Sequence, residues 1–319
     1  MNKVATSVVV LMASAVVGCG GGGGGGGSSG GGTSPTLSAF TSWSNVKPGE
    51  RVVLTGDSQE ASYTVDEIVE DGPNKGVKVD VQNFKALSAG AELTVGFETT
   101  GALNYVKLNT AEGTVLEFSQ QNNSDYEFIE AIVGDILLIY NGAGTNYIFA
   151  SDAFENEFEY QAFGTWTTGG GTGSGKIGDF SVGNATPVSN MPLSGNANYT
   201  GFSVGRFVDS DKTAYFTQSA LLMNADFGTG VVGFQTNNTH ITNELFEDPA
   251  MPFSSLDMNG TLNILTNTNQ FIGGVNNSIA NGNVNGRFYG PAANEIGGNF
   301  LLRNTITGVT YSGAFGGKR

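Results

Sequence analysis

A strict alternation of apolar and polar residues, repeated in one short run after another, most constrains the fold of this chain. In the clearest run, residues 256–264, one face holds Leu256, Met258, Leu262 and Ile264, and the other holds Asp257, Asn259, Thr261 and Asn263. Side chains alternate faces along a β-strand, so this period of two predicts a strand with one buried face. Glycine supplies 49 of the 319 residues and charged residues only 13%. The sequence therefore predicts an all-β protein with tight turns and no long helices.

Residues 153–319 have the steadiest succession of strands. The nine candidates are residues 157–166, 201–208, 213–224, 230–236, 256–266, 271–275, 283–289, 298–304 and 309–315. This pattern predicts an antiparallel, up-and-down barrel of eight or nine strands, which closes its own edges and whose interior side chains fill. Alternation alone does not say which face points inward. The chain ends in Gly317-Lys318-Arg319 and lacks recurring aromatic girdles, so we expect a soluble barrel with an apolar interior rather than a transmembrane one.

Residues 35–152 form a separate unit in the sequence, a β-rich, handle-like domain that precedes the barrel. The candidate strands are residues 51–54, 62–68, 77–81, 92–98, 104–108, 114–118 and 136–140. Residues 126–134 are compatible with a helical turn. This region carries more Asp, Glu and Lys than the rest of the chain.

The N-terminus has the features of an export signal. Residues 1–18 combine Lys3 with an apolar run that is too short to span a bilayer, and they end directly before Cys19, the single cysteine. Val16-Val17-Gly18-Cys19 resembles the lipobox of bacterial lipoproteins, with Val16 where that motif prefers Leu. The resemblance implies a lipidated Cys19, and Gly20 after it favours the outer membrane. An ordinary secretory signal with an incidental cysteine is the alternative.

Residues 19–34 are the lipidated cysteine and a tether of Gly, Ser and Thr. A glycine-rich coil of this length reaches roughly 20 Å root-mean-square and has no apolar surface to bury. It predicts a flexible connection between the lipid and the folded part.

One segment, residues 286–300, carries the most specific motif of the second half. It reads Gly-Arg-Phe-Tyr-Gly-Pro-Ala-Ala-Asn-Glu-Ile-Gly-Gly-Asn-Phe. Its signature residues are Phe288, Tyr289, Gly290, Pro291, Glu295, Gly297 and Gly298. The segment resembles the signature of the transferrin-binding protein B barrel family, and residues 160–166 and 197–201 are similar to two weaker family elements. The signature residues are interpreted as structural.

The family resemblance implies a lipoprotein at the cell surface that binds a soluble protein or a haem or iron carrier for uptake, and in some cases passes cargo to an outer-membrane receptor. Such family lobes pair a barrel with a β-rich handle. This chain has one such lobe where the transferrin binder has two. The alternative from another class is a structural or adhesive lipoprotein whose barrel is a display or spacer module.

Net charge and composition exclude several functions. The formal charge is −15 and the isoelectric point about 4.3, which argues against nucleic acid as a partner. One cysteine excludes an internal disulfide. The sequence shows no catalytic motif, so we expect no enzymatic activity, no metal site and no cofactor; a bound haem is compatible with the sequence but not indicated by it.

Four features imitate functional sites. Residues 170–176 satisfy Gly-x4-Gly-Lys, but Ile177 follows where a phosphate loop needs Ser or Thr and a helix. His240, the only histidine, is interpreted as an exposed loop residue, and Asp209 and Asp211 as a hairpin turn rather than a calcium loop. The acidic residues Asp152, Glu155, Glu157 and Glu159 are interpreted as a solvated strand face.

Overall fold

A computed structural model describes residues 37–69, 76–119, 127–131, 136–141, 144–151, 158–243 and 250–319. Three short 3-10 helices span Trp43–Asn45, Val188–Asn190 and Ser254–Leu256. The strands are β1 (Leu37–Ala39), β2 (Arg51–Val69), β3 (Gly76–Gln82), β4 (Ser88–Phe97), β5 (Leu103–Asn109), β6 (Val115–Ser119), β7 (Glu127–Ala131), β8 (Ile136–Tyr140), β9 (Tyr147–Ser151), β10 (Gln161–Thr168), β11 (Ser174–Gly183), β12 (Asn196–Val208), β13 (Thr213–Asp226), β14 (Val231–Asn243), β15 (Met251–Pro252), β16 (Asn259–Ile264), β17 (Gln270–Asn276), β18 (Asn281–Tyr289), β19 (Glu295–Asn304) and β20 (Val309–Lys318).

Eight of these strands close a barrel. The hydrogen-bonded order is β12-β13-β14-β16-β17-β18-β19-β20, every pair is antiparallel, and β20 returns to β12. This ring leaves none of its eight strands as a free edge. The all-β class and the predicted antiparallel barrel are confirmed.

The apolar faces of the barrel strands point inward. Leu262 of β16 is fully buried in a single cluster, and Ile264 of the same strand packs against it. Leu256 and Met258, just before β16, are buried in the same cluster. The cluster also holds aromatic residues from around the ring: Tyr199, Phe207, Phe234, Phe271, Phe288, Phe300, Tyr311 and Phe315. Side chains therefore fill the interior, as expected for eight strands.

Apart from β15, which pairs with β14 of the barrel, the remaining strands form a second, curled sheet. Its order is β6-β5-β4-β2-β11-β10-β9-β8-β7, with β1 parallel to the start of β2 and β3 antiparallel to its end. One face encloses a core of its own, in which Leu116 and Phe118 of β6 share a cluster with Ile139 of β8 and Ile148 of β9. The outer strands thus curl toward each other.

The other face of the curled sheet packs on the barrel. One apolar cluster joins Phe149 and Phe163 of the sheet to Phe202, Val204 and Phe216 on the outer wall of the barrel. A second joins sheet residues around Tyr63 and Ile177 to Val208 and Ala214. The two parts share a continuous interface.

Four sequence-based assignments differ from the structure. The strand predicted at residues 256–266 is shorter, because Leu256 ends a 3-10 helix and β16 spans only Asn259–Ile264. The strand pattern predicts residues 157–166 in the barrel, but β10 and β11 pair with β2 and β9 of the curled sheet, and the closed ring begins at Asn196. Residues 127–131, inside the expected helical turn, form β7. His240, expected in a loop, lies within β14. In each case local composition indicates a turn or a strand but not its hydrogen-bonding partner.

The division at residue 153 and the segments 1–18 and 19–34 stay predictions. Cys19, Lys3, the tether, Asp152, Glu155 and Glu157 lie outside the described residues.

Candidate functional site

The signature segment forms the junction between the barrel and the curled sheet. It covers the end of β18, a turn and the start of β19. Phe288 points into the barrel core, whereas Tyr289 lies on the outer face of the barrel wall, where the curled sheet buries it fully. Its hydroxyl lies 2.8 Å from Ser181 Oγ of β11. Burial raises the pKa of Tyr289 to about 12, so this hydroxyl stays protonated and able to donate.

Glu295 holds the chain that enters β10. Its carboxylate accepts the backbone N–H of Glu159 at 2.5 Å and that of Tyr160 at 3.1 Å. Only 3% of Glu295 is exposed, and this burial raises its pKa to about 7, with the negative charge of Glu159 acting in the same direction. The backbone hydrogen bonds act the other way but do not offset the burial. Glu295 is thus an anchor whose charge changes near neutral pH.

The signature glycines make room for this contact. Gly290 has a φ of +82°, and a Cβ there would lie 2.6 Å from the Tyr160 ring. A Cβ on Gly297 would lie 2.1 Å from the side-chain oxygen of Gln161, whose amide nitrogen donates to Ile296 O at 3.2 Å. At these two positions the absence of a side chain lets β10 approach the barrel. Pro291 follows Gly290 in the same turn and is exposed.

A polar seam continues the junction along β2 and β11. Arg287 of β18 forms a two-pronged ion pair with Asp57 of β2, with Nε 3.1 Å from Oδ2, and about one seventh of either side chain is exposed. Further along, Gln59 donates both to Asp179 at 3.0 Å and to the carbonyl of Phe300 at 2.8 Å. Burial raises the pKa of Asp179 to about 6. Sheet and barrel are therefore joined by charged and hydrogen-bonded side chains as well as by apolar contact.

An apolar rim lies at one end of the barrel. The segment of residues 184–195, between β11 and β12, crosses this end: Asn190 Nδ2 donates to Pro291 O at 3.1 Å, and Phe227 N donates to Gly195 O at 2.9 Å. The β16–β17 hairpin joins it, because Asn269 Nδ2 donates to Thr186 O at 2.6 Å. We define the apolar rim as the exposed side chains at this end, Val188, Leu193 and Leu265, which are 51%, 90% and 40% exposed.

The rim residues were not predicted from the sequence. Each stands alone among prolines, glycines and polar residues, so no periodic pattern marks it. The signal that was present is an unpaired large apolar residue within a turn-rich segment, as in Pro187-Val188 and Pro192-Leu193. Such a residue is not part of an apolar strand face, so it stays exposed at the surface.

The sequence features that resemble functional sites have structural roles. Residues 169–173 form the turn of the β10–β11 hairpin, and Lys176 pairs with Glu60 at 2.7 Å. His240 is half-buried with Nδ1 2.9 Å from Asn238 O. Asp209 Oδ1 accepts the backbone N–H of Asp211 and of Thr213, both at 2.9 Å, as a hairpin turn requires.

Glu159 binds Ser44 through its carboxylate, with the Ser44 N–H at 3.0 Å, so this acidic residue ties the N-terminal segment to the entry of β10. Within the described ranges, no group of three or more His, Cys, Asp and Glu side chains is placed to hold a metal ion. In the same ranges, no helix has the length and apolar character needed to cross a membrane.

These features define an all-β protein in which a curled sheet is locked onto a closed barrel filled with side chains. Residues 191–319 match the family model described as the C-lobe and N-lobe beta barrels of Tf-binding protein B. This match covers the barrel and includes the signature segment, so the resemblance seen in that segment is confirmed.

Several solved structures are similar to the chain. A mutant of transferrin binding protein B from Haemophilus parasuis Hp5 is 13% identical, over 83% of this chain and 76% of that chain, with a TM-score of 0.39. The haemoglobin receptor HpuA from Kingella denitrificans is 14% identical, over 90% and 94%, with a TM-score of 0.39. Isotype 1 transferrin binding protein B from serogroup B Neisseria meningitidis is 14% identical, over 85% and 77%, with a TM-score of 0.39. No curated protein matches the sequence.

Proposed function

We propose that this protein is a lipid-anchored binding protein, displayed at the cell surface, that captures a soluble protein or a haem or iron carrier for uptake without catalysis. The family match of the barrel is the observation that carries the proposal. The lipobox ending at Cys19 and the glycine tether support the anchor and the display. Transfer of cargo to an outer-membrane receptor is the step that would follow.

The filled barrel favours a macromolecular ligand over a small molecule held inside. Phenylalanine, tyrosine, leucine and methionine side chains occupy the interior, and residues such as Met223, Met258 and Phe288 are completely buried. A ligand chamber needs a concave pocket of several hundred cubic ångströms, which such packing removes. Binding is therefore assigned to the outer surface.

The apolar rim is the part of that surface best suited to a protein partner. Binding free energy at protein interfaces concentrates in a few large side chains that become desolvated. Leu193 is nine-tenths exposed on a segment that is held on both sides, by the side chain of Asn190 and the backbone carbonyl of Gly195. A large apolar side chain held in place in water gains free energy when a partner covers it.

The experiment is a binding measurement with the immobilised protein, starting at Thr33, against transferrin, haemoglobin and haemoglobin-bound haem. We expect saturable binding to one of these carriers, weakened by about tenfold or more in the double variant Val188→Ala, Leu193→Ala. The matched control is Ile306→Ala, which removes an equally exposed apolar side chain from the β19–β20 hairpin at the opposite end. Binding lost equally in the control would contradict the assignment to the rim.

Surface display is tested separately. Wild-type cells should incorporate radiolabelled palmitate into the protein, and protease added to intact cells should digest it, whereas Cys19→Ala should abolish the labelling. A lipidated protein that is protected on intact cells but digested in lysed ones would exclude capture of an external ligand. A displayed, folded protein that binds none of the carriers would instead support the spacer function.

A further inference from the structure

The outer wall of the barrel opposite the curled sheet is covered with uncharged carboxamide side chains. On strands β12, β13, β14, β16, β17 and β18, one exposed set points away from the core: Asn198, Asn224, Gln235, Asn237, Asn259, Asn263, Asn276, Asn281 and Asn283. We call these nine side chains the carboxamide face. Thr261 lies among them and is also exposed.

The register aligns four of these side chains in one row across four strands. Gln235 pairs with Asn259, Asn259 with Asn276, and Asn276 with Asn281. Neighbouring strands are about 4.8 Å apart, and because the barrel wall is convex, the side-chain tips diverge from that spacing. The row thus presents one carboxamide per strand along a curved path.

The face is almost free of charge in a strongly acidic protein. Strands β14, β16, β17 and β18 contain a single charged residue, Arg287, and it is turned into the ion pair with Asp57. The other two strands add a buried Arg206 in β12 and, at the end of β13, Asp226, whose carboxylate accepts the N–H groups of Gly228 and Thr229. The chain as a whole has a net charge of −15. Exposed ion pairs instead lie on and beside the curled sheet, as in Lys78–Glu67 and Lys107–Glu117.

The carboxamides are also unused within the molecule. Asn224 donates to Asn198 at 2.7 Å; in the described part of the chain the other seven side chains make no hydrogen bond. Each carboxamide offers two N–H donors and a carbonyl that accepts two hydrogen bonds. The face therefore has a dense, mixed set of donors and acceptors directed at solvent.

This chemistry excludes several classes of partner. Nucleic acid and anionic lipid need clustered cations, and strands β14, β16 and β17 contain none. A protein interface needs large aromatic, apolar or Arg anchors, whereas Ile272 is the one large apolar side chain exposed on these strands. A convex wall also opposes close stacking of a second copy, since two convex walls meet along a line. A neutral, flexible polymer of hydroxyl groups satisfies each condition.

We propose that the carboxamide face binds a neutral polysaccharide, whose hydroxyl groups both donate to and accept from the carboxamides. A flexible sugar chain can follow the curved row from Gln235 to Asn281 and meet one carboxamide at each strand. This function is independent of the protein partner assigned to the apolar rim.

Affinity electrophoresis in native gels containing dextran, mannan or galactomannan tests the proposal, with dextran sulfate as the anionic comparison. We expect retardation by at least one neutral polymer and none by dextran sulfate. The double variant Asn259→Ala, Asn276→Ala should raise the dissociation constant by about tenfold or more, because several hydrogen bonds at the centre of the row are lost together. The matched control is Asn45→Ala, Gln82→Ala, which removes two exposed carboxamides elsewhere and should change nothing.

Three outcomes of the electrophoresis would overturn the proposal. They are no retardation of the wild-type protein by any of the three neutral polymers, equal retardation of the double variant, and a stronger response to dextran sulfate. Gel filtration of the wild-type protein accompanies the assay: a dimer that the double variant dissociates would assign the face to a second copy. The single variant Asn276→Asp keeps the side-chain shape and loses the N–H donors. Weaker retardation of this variant, with its fold intact, would show lost recognition rather than misfolding.

Discussion

Two constraints favour glycine at position 290: its φ is positive, and the Tyr160 ring occupies the space that a side chain would need. Its φ is +82°, and a Cβ would meet the Tyr160 ring at 2.6 Å. We expect Gly290→Ala to lower the free energy of unfolding by about 1 kcal/mol for the backbone and by about 1–3 kcal/mol more for the displaced ring.

Gly308 provides the control for this substitution. Its φ is +77°, but nothing lies within 4 Å of a Cβ built there. Gly308→Ala should therefore lower the free energy of unfolding by the backbone contribution alone, about 1 kcal/mol. Chemical denaturation of both variants measures the difference, and equal losses would show that the contact with Tyr160 carries no energetic weight.

Glu295 gives the stability a pH dependence with a defined sign. Burial raises its pKa from 4.5 to about 7 in the folded state. Between pH 4.5 and pH 7, the folded state therefore holds a proton on Glu295 that the unfolded state has lost. The contribution of Glu295 to the free energy of unfolding is fully present below pH 4.5. It falls by about 3 kcal/mol as the pH rises through 7. Asp179, with its pKa raised to about 6, acts in the same direction.

The measurement is the free energy of unfolding of the wild type and of Glu295→Gln between about pH 5 and pH 8.5, a range that brackets the titration. We expect the wild type to lose stability with rising pH and the variant to lose less, because glutamine can still accept the N–H groups of Glu159 and Tyr160 without a titrating proton. Identical pH profiles for the two proteins would show that Glu295 does not titrate in this range.

At the scale of whole strands, the ion pair between Asp57 and Arg287 ties β2 of the sheet to β18 of the barrel. Both side chains are about six-sevenths buried, so removal of one partner leaves a charge without compensation. We expect Arg287→Met to lower the free energy of unfolding by about 3 kcal/mol. The double variant Asp57→Leu, Arg287→Met should lose less than the sum of the two single variants, as determined in a double-mutant cycle. Additive losses would indicate that the two side chains do not interact.

Sequence alternation predicts strands and their buried faces better than it predicts their partners. Leu262 of β16 enters the barrel core as the period of two predicts, whereas Leu256 and Met258 reach the same core from the 3-10 helix and the short connection before the strand. Strand β10 is adjacent in the chain to the barrel strands, which favours its assignment to them, yet nearly all of its residues are buried and it pairs with β9 and β11. A strand covered on both faces has no alternation to indicate which layer it joins.

The candidate surfaces were less predictable than the fold. The signature residues Glu295 and Gly297 can be identified because a recurring motif contains them, and the structure shows the contacts they make with Tyr160 and Gln161. Rim residues such as Leu193 and the row of carboxamides belong to no motif. They become surfaces only through hairpin packing and strand register, which depend on contacts between distant parts of the chain.

At the scale of the whole molecule, the interface decides whether sheet and barrel behave as one body. Two apolar clusters cross it, one around Phe163 and Phe202 and the other around Tyr63 and Val208. The polar seam from Asp57 to Glu295 crosses it as well. If either part unfolded alone, it would expose this apolar surface and leave buried charges unpaired, so partial unfolding is costly.

We therefore expect calorimetry to show a single unfolding transition in which the calorimetric and van't Hoff enthalpies agree, despite the length of the chain. Phe202→Ser should lower the midpoint of that transition without dividing it, because the weakened interface still links both parts. A control in the core of the curled sheet alone, Leu116→Ala, should lower the same single midpoint even though Leu116 lies in a separate cluster from the barrel core. The contrary result is two resolved transitions, of which Leu116→Ala shifts one and leaves the other unchanged. It would show that the sheet and the barrel are independent domains, positioned by the polar seam without coupling of their stabilities.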